Sequence, residues 1–124
     1  MIRRFVKSFA HAFRGIYITF KSERNFRIHT VALCLAVALG LYLYLSVLEW
    51  GLIIFSIGFV LVAELFNTAI ERLGDEASGD KRNQMVKNAK DISAAAVLLS
   101  ALTALVIGIL ILFVPFIRKI IELL

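Results

Sequence analysis

"GLIIFSIGFVLVAELFNTAIERLGDE", residues 51–76, begins as thirteen uncharged residues and then places Glu64 where a membrane-crossing helix should still be apolar. Asn67 and Glu71 follow at helical spacing. Seven helical residues turn through about 700°, so Glu64 and Glu71 lie within about 20° of each other and roughly 10 Å apart along the axis. Asn67 falls between them, which makes a polar stripe on an otherwise apolar helix. An ionisable group inside a span costs at least ~2.5 kcal/mol on insertion scales, so a functional role is the default reading. The alternative is an interhelical hydrogen bond, which Asn67 suits and a protonated Glu64 can join.

The rest of the chain is built for the same solvent. Of 124 residues 60% are hydrophobic, and the mean hydropathy is +0.88. A soluble domain this short would leave much of that surface exposed. Residues 30–48 give nineteen uncharged positions, 50–70 give twenty-one interrupted only by Glu64, and 92–117 give twenty-six. Each suffices for the ~20 residues that a helix needs to cross the hydrocarbon. The predicted fold class is an all-α membrane protein, one domain over 1–124, with an amphipathic surface helix over 1–29 and three transmembrane helices. In the opening segment Ile2, Phe5, Phe9, Phe13, Ile16 and Phe20 fall on one helical side, and Arg4, Lys7, His11, Arg14 and Lys21 on another. Ala96, Ser100, Ala104 and Gly108 recur every four residues, as do Ala32, Ala36 and Gly40, a pattern of close helix packing in lipid. Pro115 sits near the end of the last span, where a helix tolerates it.

Charge sets the expected orientation. Arg3, Arg4, Lys7, Arg14, Lys21, Arg24 and Arg27 precede the first span, and Arg72, Lys81, Arg82, Lys87 and Lys90 lie between the second and third. Both segments should be cytoplasmic, with the N-terminus on that side and only Arg118 and Lys119 outside. The net charge of +5 then belongs to one membrane face, and it fits an anionic leaflet or a polyphosphate. No nucleic-acid recognition fold is present. The lone Cys34 excludes a disulfide framework or a zinc spacing. The opening segment is too charged for a cleaved signal peptide.

Carboxylates gather at the same face: Glu23, Glu71, Asp75, Glu76, Asp80 and Asp91, the last beside Lys90. Hard oxygen donors opposite a dense cationic set resemble a site for magnesium bound to phosphates. No P-loop or kinase glycine loop occurs. Two rival classes remain open: a small proton-coupled transporter, for which a mid-membrane glutamate is equally apt, and a purely structural membrane subunit.

"AELFNTAIERLGDE" (63–76), "AKDISAAAVL" (89–98) and "ERNFRIH" (23–29) together closely resemble the small prokaryotic diacylglycerol kinase family, which includes the undecaprenol kinases. The pattern E-x-x-N-[ST]-A-I-E carries most of the likeness, which covers nearly the whole chain. The resemblance implies a homotrimer in the bacterial cytoplasmic (inner) membrane that transfers phosphate from ATP, with Mg2+, to a membrane lipid alcohol. Diacylglycerol is the acceptor implied first and undecaprenol is the alternative. It further implies that Glu64 is the general base with Asn67 beside it, and that Glu23 and Glu71 bind the metal with its nucleotide. Lys90, Asp91 and Arg4 match nucleotide contacts, as does one of Lys81, Arg82 and Asn83. His11 stands at a position where tyrosine is common, again on the nucleotide side. Arg14 precedes Gly15 as a basic residue does in the family. His29 stands where members acting on diacylglycerol often carry an acidic residue.

Overall fold

Helix α1 (Ile2–Ser22) is followed by α2 (Arg24–Leu43), α3 (Val47–Ser78), α4 (Gln84–Gly108), a π-helical turn (Ile109–Phe113) and α5 (Val114–Leu123). The computed structural model describes residues 2–79 and 83–124, and no strand occurs among them. Three helices are long and apolar enough to cross a membrane: Arg24–Leu43, Val47–Ser78 and the continuous rod Gln84–Leu123.

The first helix ends short of the 1–29 expected of it. It stops at Ser22, and Glu23 is extended at φ −98°, ψ 118°, so residues 24–29 open the first spanning helix instead of closing the N-terminal one. Aromatic packing accounts for the break. Six residues along an unbroken helix turn through about 600°, which would point Phe20 and Phe26 to different sides. With the break, their rings meet edge-on at 6.5 Å and Phe26 is buried. Arg27 Nη1 donates to the Lys21 carbonyl across the same corner at 3.4 Å. Glu23 occupies the N-cap of α2, yet its side chain caps nothing, which leaves its carboxylate free for another partner.

A tight turn joins α2 to α3. Tyr44 adopts the left-handed conformation at φ 56°, and the Leu45 N–H reaches back to the Gly40 carbonyl at 3.3 Å. Ser46 and Glu49 then form a reciprocal cap. The Glu49 N–H donates to Ser46 Oγ at 3.3 Å, and the Ser46 N–H donates to Glu49 Oε2 at 2.7 Å. Gly40 is required by closeness: a Cβ there would lie 2.9 Å from Trp50 Cη2 and 3.0 Å from Leu45 Cδ1.

Helix α3 packs along α4 through small hydroxyl residues. Ser56, Thr68, Ser93 and Ser100 are all buried. Each hydroxyl donates to a carbonyl of its own helix, Ser56 to Ile53, Thr68 to Glu64, Ser93 to Lys90 and Ser100 to Val97, at 2.8–3.0 Å. Hydrogen bonds made in this way let two backbones approach without stranding a polar group in lipid. Only four apolar side chains are buried among the described residues, Phe26, Ile53, Val60 and Leu112, so most of the apolar surface is left to face hydrocarbon or other chains.

The small residues act differently from the packing stripe expected of them. Ser100 and Gly40 do sit at close contacts, but Ala32 and Ala96 are exposed, and nothing lies within 4 Å of a Cβ built on Gly108. Ala32, Ala36, Ala104 and Gly108 instead line an apolar groove of about 750 Å³ between α2, α3 and α4. Pro115 lacks an N–H, and the π-helical turn directly before it absorbs the mismatch, with the Val114 N–H bonding to the Ile109 carbonyl. Lys119 ties the far end of the rod to α2, with Nζ 4.3 Å from the Tyr42 ring centre and 3.3 Å from the Tyr42 carbonyl.

The Gly40–Trp50 contact yields a stability test. Gly40→Ala should lose ~1–3 kcal/mol through overpacking and lower the thermal midpoint in detergent. Adding Trp50→Phe, which removes the ring atoms in the way, should recover part of that loss. A single variant melting at or above the wild type would show that the contact is not limiting.

Candidate active site

Glu64 lies on α3, seventeen residues after Val47, or ~26 Å up a helix of 1.5 Å rise. That depth is close to the far edge of a ~30 Å hydrocarbon layer entered at the α2–α3 turn. The residue is only 2% exposed. His29 on α2 faces it, with Nε2 3.2 Å from Oε1. The pair is close enough for charge attraction but does not meet hydrogen-bond geometry, so Oε1 is left without a hydrogen-bond partner. Glu23 and Glu71 lie near enough for their charges to act on Glu64 as well. The one close contact in this neighbourhood is the imidazole of α2 against the carboxylate of α3, with the two further acids acting at longer range.

Asn67 connects this cluster to α4. Its Nδ2 donates to Glu71 Oε1 at 3.1 Å, and its Oδ1 accepts the Ser93 hydroxyl at 2.7 Å. The amide is used at both ends, which fixes its orientation and presents Glu71 from one direction. One turn further on, Gly74 lets α4 come close: a Cβ there would lie 2.9 Å from Val86 Cγ1 and 3.3 Å from Lys90 Cε. Lys90 pairs with Asp75 across this contact. Arg72 Nη2 donates to Ser22 Oγ at 2.9 Å, tying α3 to the end of α1 beside Glu23.

Beside Glu64, His29 stands at the head of the apolar groove. His29 is the polar end of a lining that continues through Ala36, Ile57, Ala104 and Phe113 toward the other membrane face. A smaller apolar hollow of about 290 Å³ opens on the other side of Asn67 and Ser93. A buried carboxylate with a free acceptor oxygen, set where an apolar channel meets an acidic interface, can receive a hydroxyl carried on an apolar molecule.

Comparison with known proteins decides the family. The model for prokaryotic diacylglycerol kinase matches residues 10–112. The chain belongs to the prokaryotic diacylglycerol kinase family. It is 44% identical over 114 residues to the undecaprenol kinase of Bacillus subtilis, covering 92% of this chain and 91% of that one. It is also 35% identical over 101 residues to a diacylglycerol kinase of Synechocystis sp., covering 82% of this chain and 58% of that one. The diacylglycerol kinase of Escherichia coli is 30% identical over 103 residues, covering 83% and 84%. The chain is thus a lipid kinase, an enzyme embedded in a membrane by three helices.

Within one chain of the kinase, the residues expected to form a site are brought together unevenly. Asn67 and Glu71 are bonded to each other one to two turns beyond Glu64, and Glu23 lies within reach of its charge. Lys90 lies beside them but is engaged by Asp75. Asp91 is exposed at the start of α4, and Asn83 caps that helix through Oδ1 to the Met85 N–H at 2.9 Å. Arg4 and His11 are exposed on α1, and neither side chain bonds to the cluster among the described residues. Asp80, Lys81 and Arg82 lie outside the described residues. Ser93 and the Asp75–Lys90 pair were not singled out from the sequence. A weak signal existed for both, since Ser93 is three residues beyond Lys90 on the same helix and Asp75 four beyond Glu71.

Ser93→Ala frees Asn67 Oδ1 and loosens the amide that orients Glu71. Turnover should fall several-fold, on the order of 1 kcal/mol for a single lost hydrogen bond. Steady-state kinetics read it, and unchanged turnover would remove Ser93 from the network.

Proposed function

We propose that this lipid kinase moves the γ-phosphoryl group of ATP to the primary hydroxyl of a long-chain membrane alcohol at the cytoplasmic face. The observation that carries the reading is the buried Glu64 carboxylate, with an unpartnered oxygen, beside His29 at the head of an apolar groove. The acceptor's tail lies in the groove and its hydroxyl donates to Glu64 Oε1. As the hydroxyl oxygen bonds to the γ-phosphorus, the bond to the β-phosphate bridging oxygen breaks, ADP leaves, and the proton passes to Glu64.

Glu23 and Glu71 are the residues that would hold Mg2+. Among the described residues no group of three or more His, Cys, Asp or Glu side chains stands at metal-holding separation. A pair of carboxylates with uncapped lone pairs nevertheless suits magnesium, which takes one or two carboxylates and completes its shell with phosphate oxygens and water. Bound there, the ion would neutralise phosphate charge. Asn67 orients Glu71, and α1 lies along the cytoplasmic surface with Phe5, Phe9 and Phe13 toward lipid and its cations toward phosphates. Lys90 and Asp91 serve the nucleotide, with the cytoplasmic N-terminus and inner-membrane setting that the basic segments favour.

Arg4 and His11 fit a nucleotide role only across a boundary between copies. Arg4 is nineteen residues before Glu23, ~28 Å along α1, beyond the reach of a side chain to the same cluster. A homotrimer, which the family likeness supports, would place α1 of one copy against α3 and α4 of another.

The 44% identity to an undecaprenol kinase favours a polyprenol as the acceptor. The family description and the lower-identity relatives favour diacylglycerol as the second reading. Radiolabel transfer from ATP to each lipid in mixed micelles separates the two, and labelling of neither would end the kinase assignment for this chain.

Glu64→Gln keeps the shape but cannot take the proton. Turnover should fall ~10²-fold or more with assembly mass retained. Wild-type turnover in that variant would end the role of Glu64, and an active enzyme with a mass other than three chains would remove the trimer.

Glu71→Ala should raise the Mg2+ and ATP concentrations needed for half-maximal rate while the apparent affinity for lipid stays little changed. A variant whose magnesium dependence matches the wild type would take Glu71 out of the metal site.

A further inference from the structure

The reaction as read leaves His29 without a task. It is nevertheless the nearest basic side chain to Glu64, with Nε2 3.2 Å from Oε1. The other ionisable neighbours are Glu23 from the α1–α2 break and Glu71 from α3 itself, both acidic. From α4, Lys90 is occupied by Asp75. His29 also lines the head of the groove, so it borders the path along which an acceptor arrives. Its side chain is 27% exposed, against 3% for the Glu64 side chain, so of the pair it is the imidazole that reaches the open groove.

We propose that His29 is a positioning residue for phosphoryl transfer: its Nε2, set beside Oε1, holds the Glu64 carboxylate at the head of the groove and fixes how it meets the incoming hydroxyl. Glu23 and Glu71 both repel the Glu64 carboxylate, and the imidazole at 3.2 Å is the contact that offsets that repulsion. His29 takes no proton from the acceptor and breaks no bond. It sets the direction from which Glu64 meets the hydroxyl, and small errors in that alignment are expensive in rate. This rests on Glu64 acting as the base.

A double-mutant cycle on the full chain in mixed micelles tests it, with undecaprenol and diacylglycerol as acceptors. His29→Ala should lower kcat about ten-fold or more, while KM for ATP stays within about two-fold. His29→Gln, whose amide can reach toward the same oxygen, should recover part of that loss. In the Glu64→Gln background, His29→Ala should lower the residual rate by less than about two-fold, because the carboxylate it positions is already gone. A fully active His29→Ala enzyme overturns the inference. So does an equal fractional loss in both backgrounds, since a merely structural residue behaves that way. A wild-type chain that phosphorylates neither lipid would instead overturn the kinase reading, and so the two failures are distinguishable.

Discussion

A carboxylate placed within an apolar helix constrains everything around it. Glu64 is nearly inaccessible, and a buried charge without partners is among the most unfavourable arrangements a protein can hold. The break at Glu23 and the start of α2 bring His29 against it. Glu23 and Glu71 add negative charge to the same neighbourhood, so within one chain the cluster is short of cations. Lys90 does not relieve this, because Asp75 holds it. Such a neighbourhood favours a partner that brings a cation to it.

The helices divide the labour between strength and access. Between α3 and α4, Thr68 and Ser100 turn their hydroxyls back onto their own carbonyls, while Ser93 reaches across to Asn67. Between α2 and the other two helices, alanines and Gly108 leave room, and the groove forms there. Helix α2 is pinned at its ends, by the Gly40–Trp50 contact and Lys119 at one and by His29 and Phe26 at the other. Its middle is free to stand away from α4. A lipid-facing channel is thus obtained without an irregular backbone, which lipid would not tolerate.

The polar side of the site is laid out along one helical ridge. Helix α3 has 32 residues, ~48 Å in length, and exceeds the hydrocarbon thickness by several turns. Glu64 therefore stands within the span of the hydrocarbon while Glu71 and Asp75 lie further along the same rod. A rigid helix that passes from one solvent to the other holds these three acidic side chains in a fixed register.

Local periodicity was enough to show the three spans and the Glu64–Asn67–Glu71 stripe, because a helix sets the angle between its own residues and lipid sets its length. The motif around that stripe, with A-K-D on the next span, likewise pointed to the family before any geometry was considered. The end of α1 at Glu23 is legible where its amphipathic pattern runs out, but that residues 24–29 join the first span depends on Phe20 meeting Phe26, which leaves no mark in the helical pattern. The small-residue stripes were legible as positions but not as roles: the same spacing serves a tight seam at Ser100 and an open groove at Gly108. His29 facing Glu64, Ser93 reaching Asn67 and Lys90 meeting Asp75 required the tertiary structure. They depend on how far each helix is rotated about its axis and where it crosses its neighbour, and sequence spacing within one helix contains no information about either.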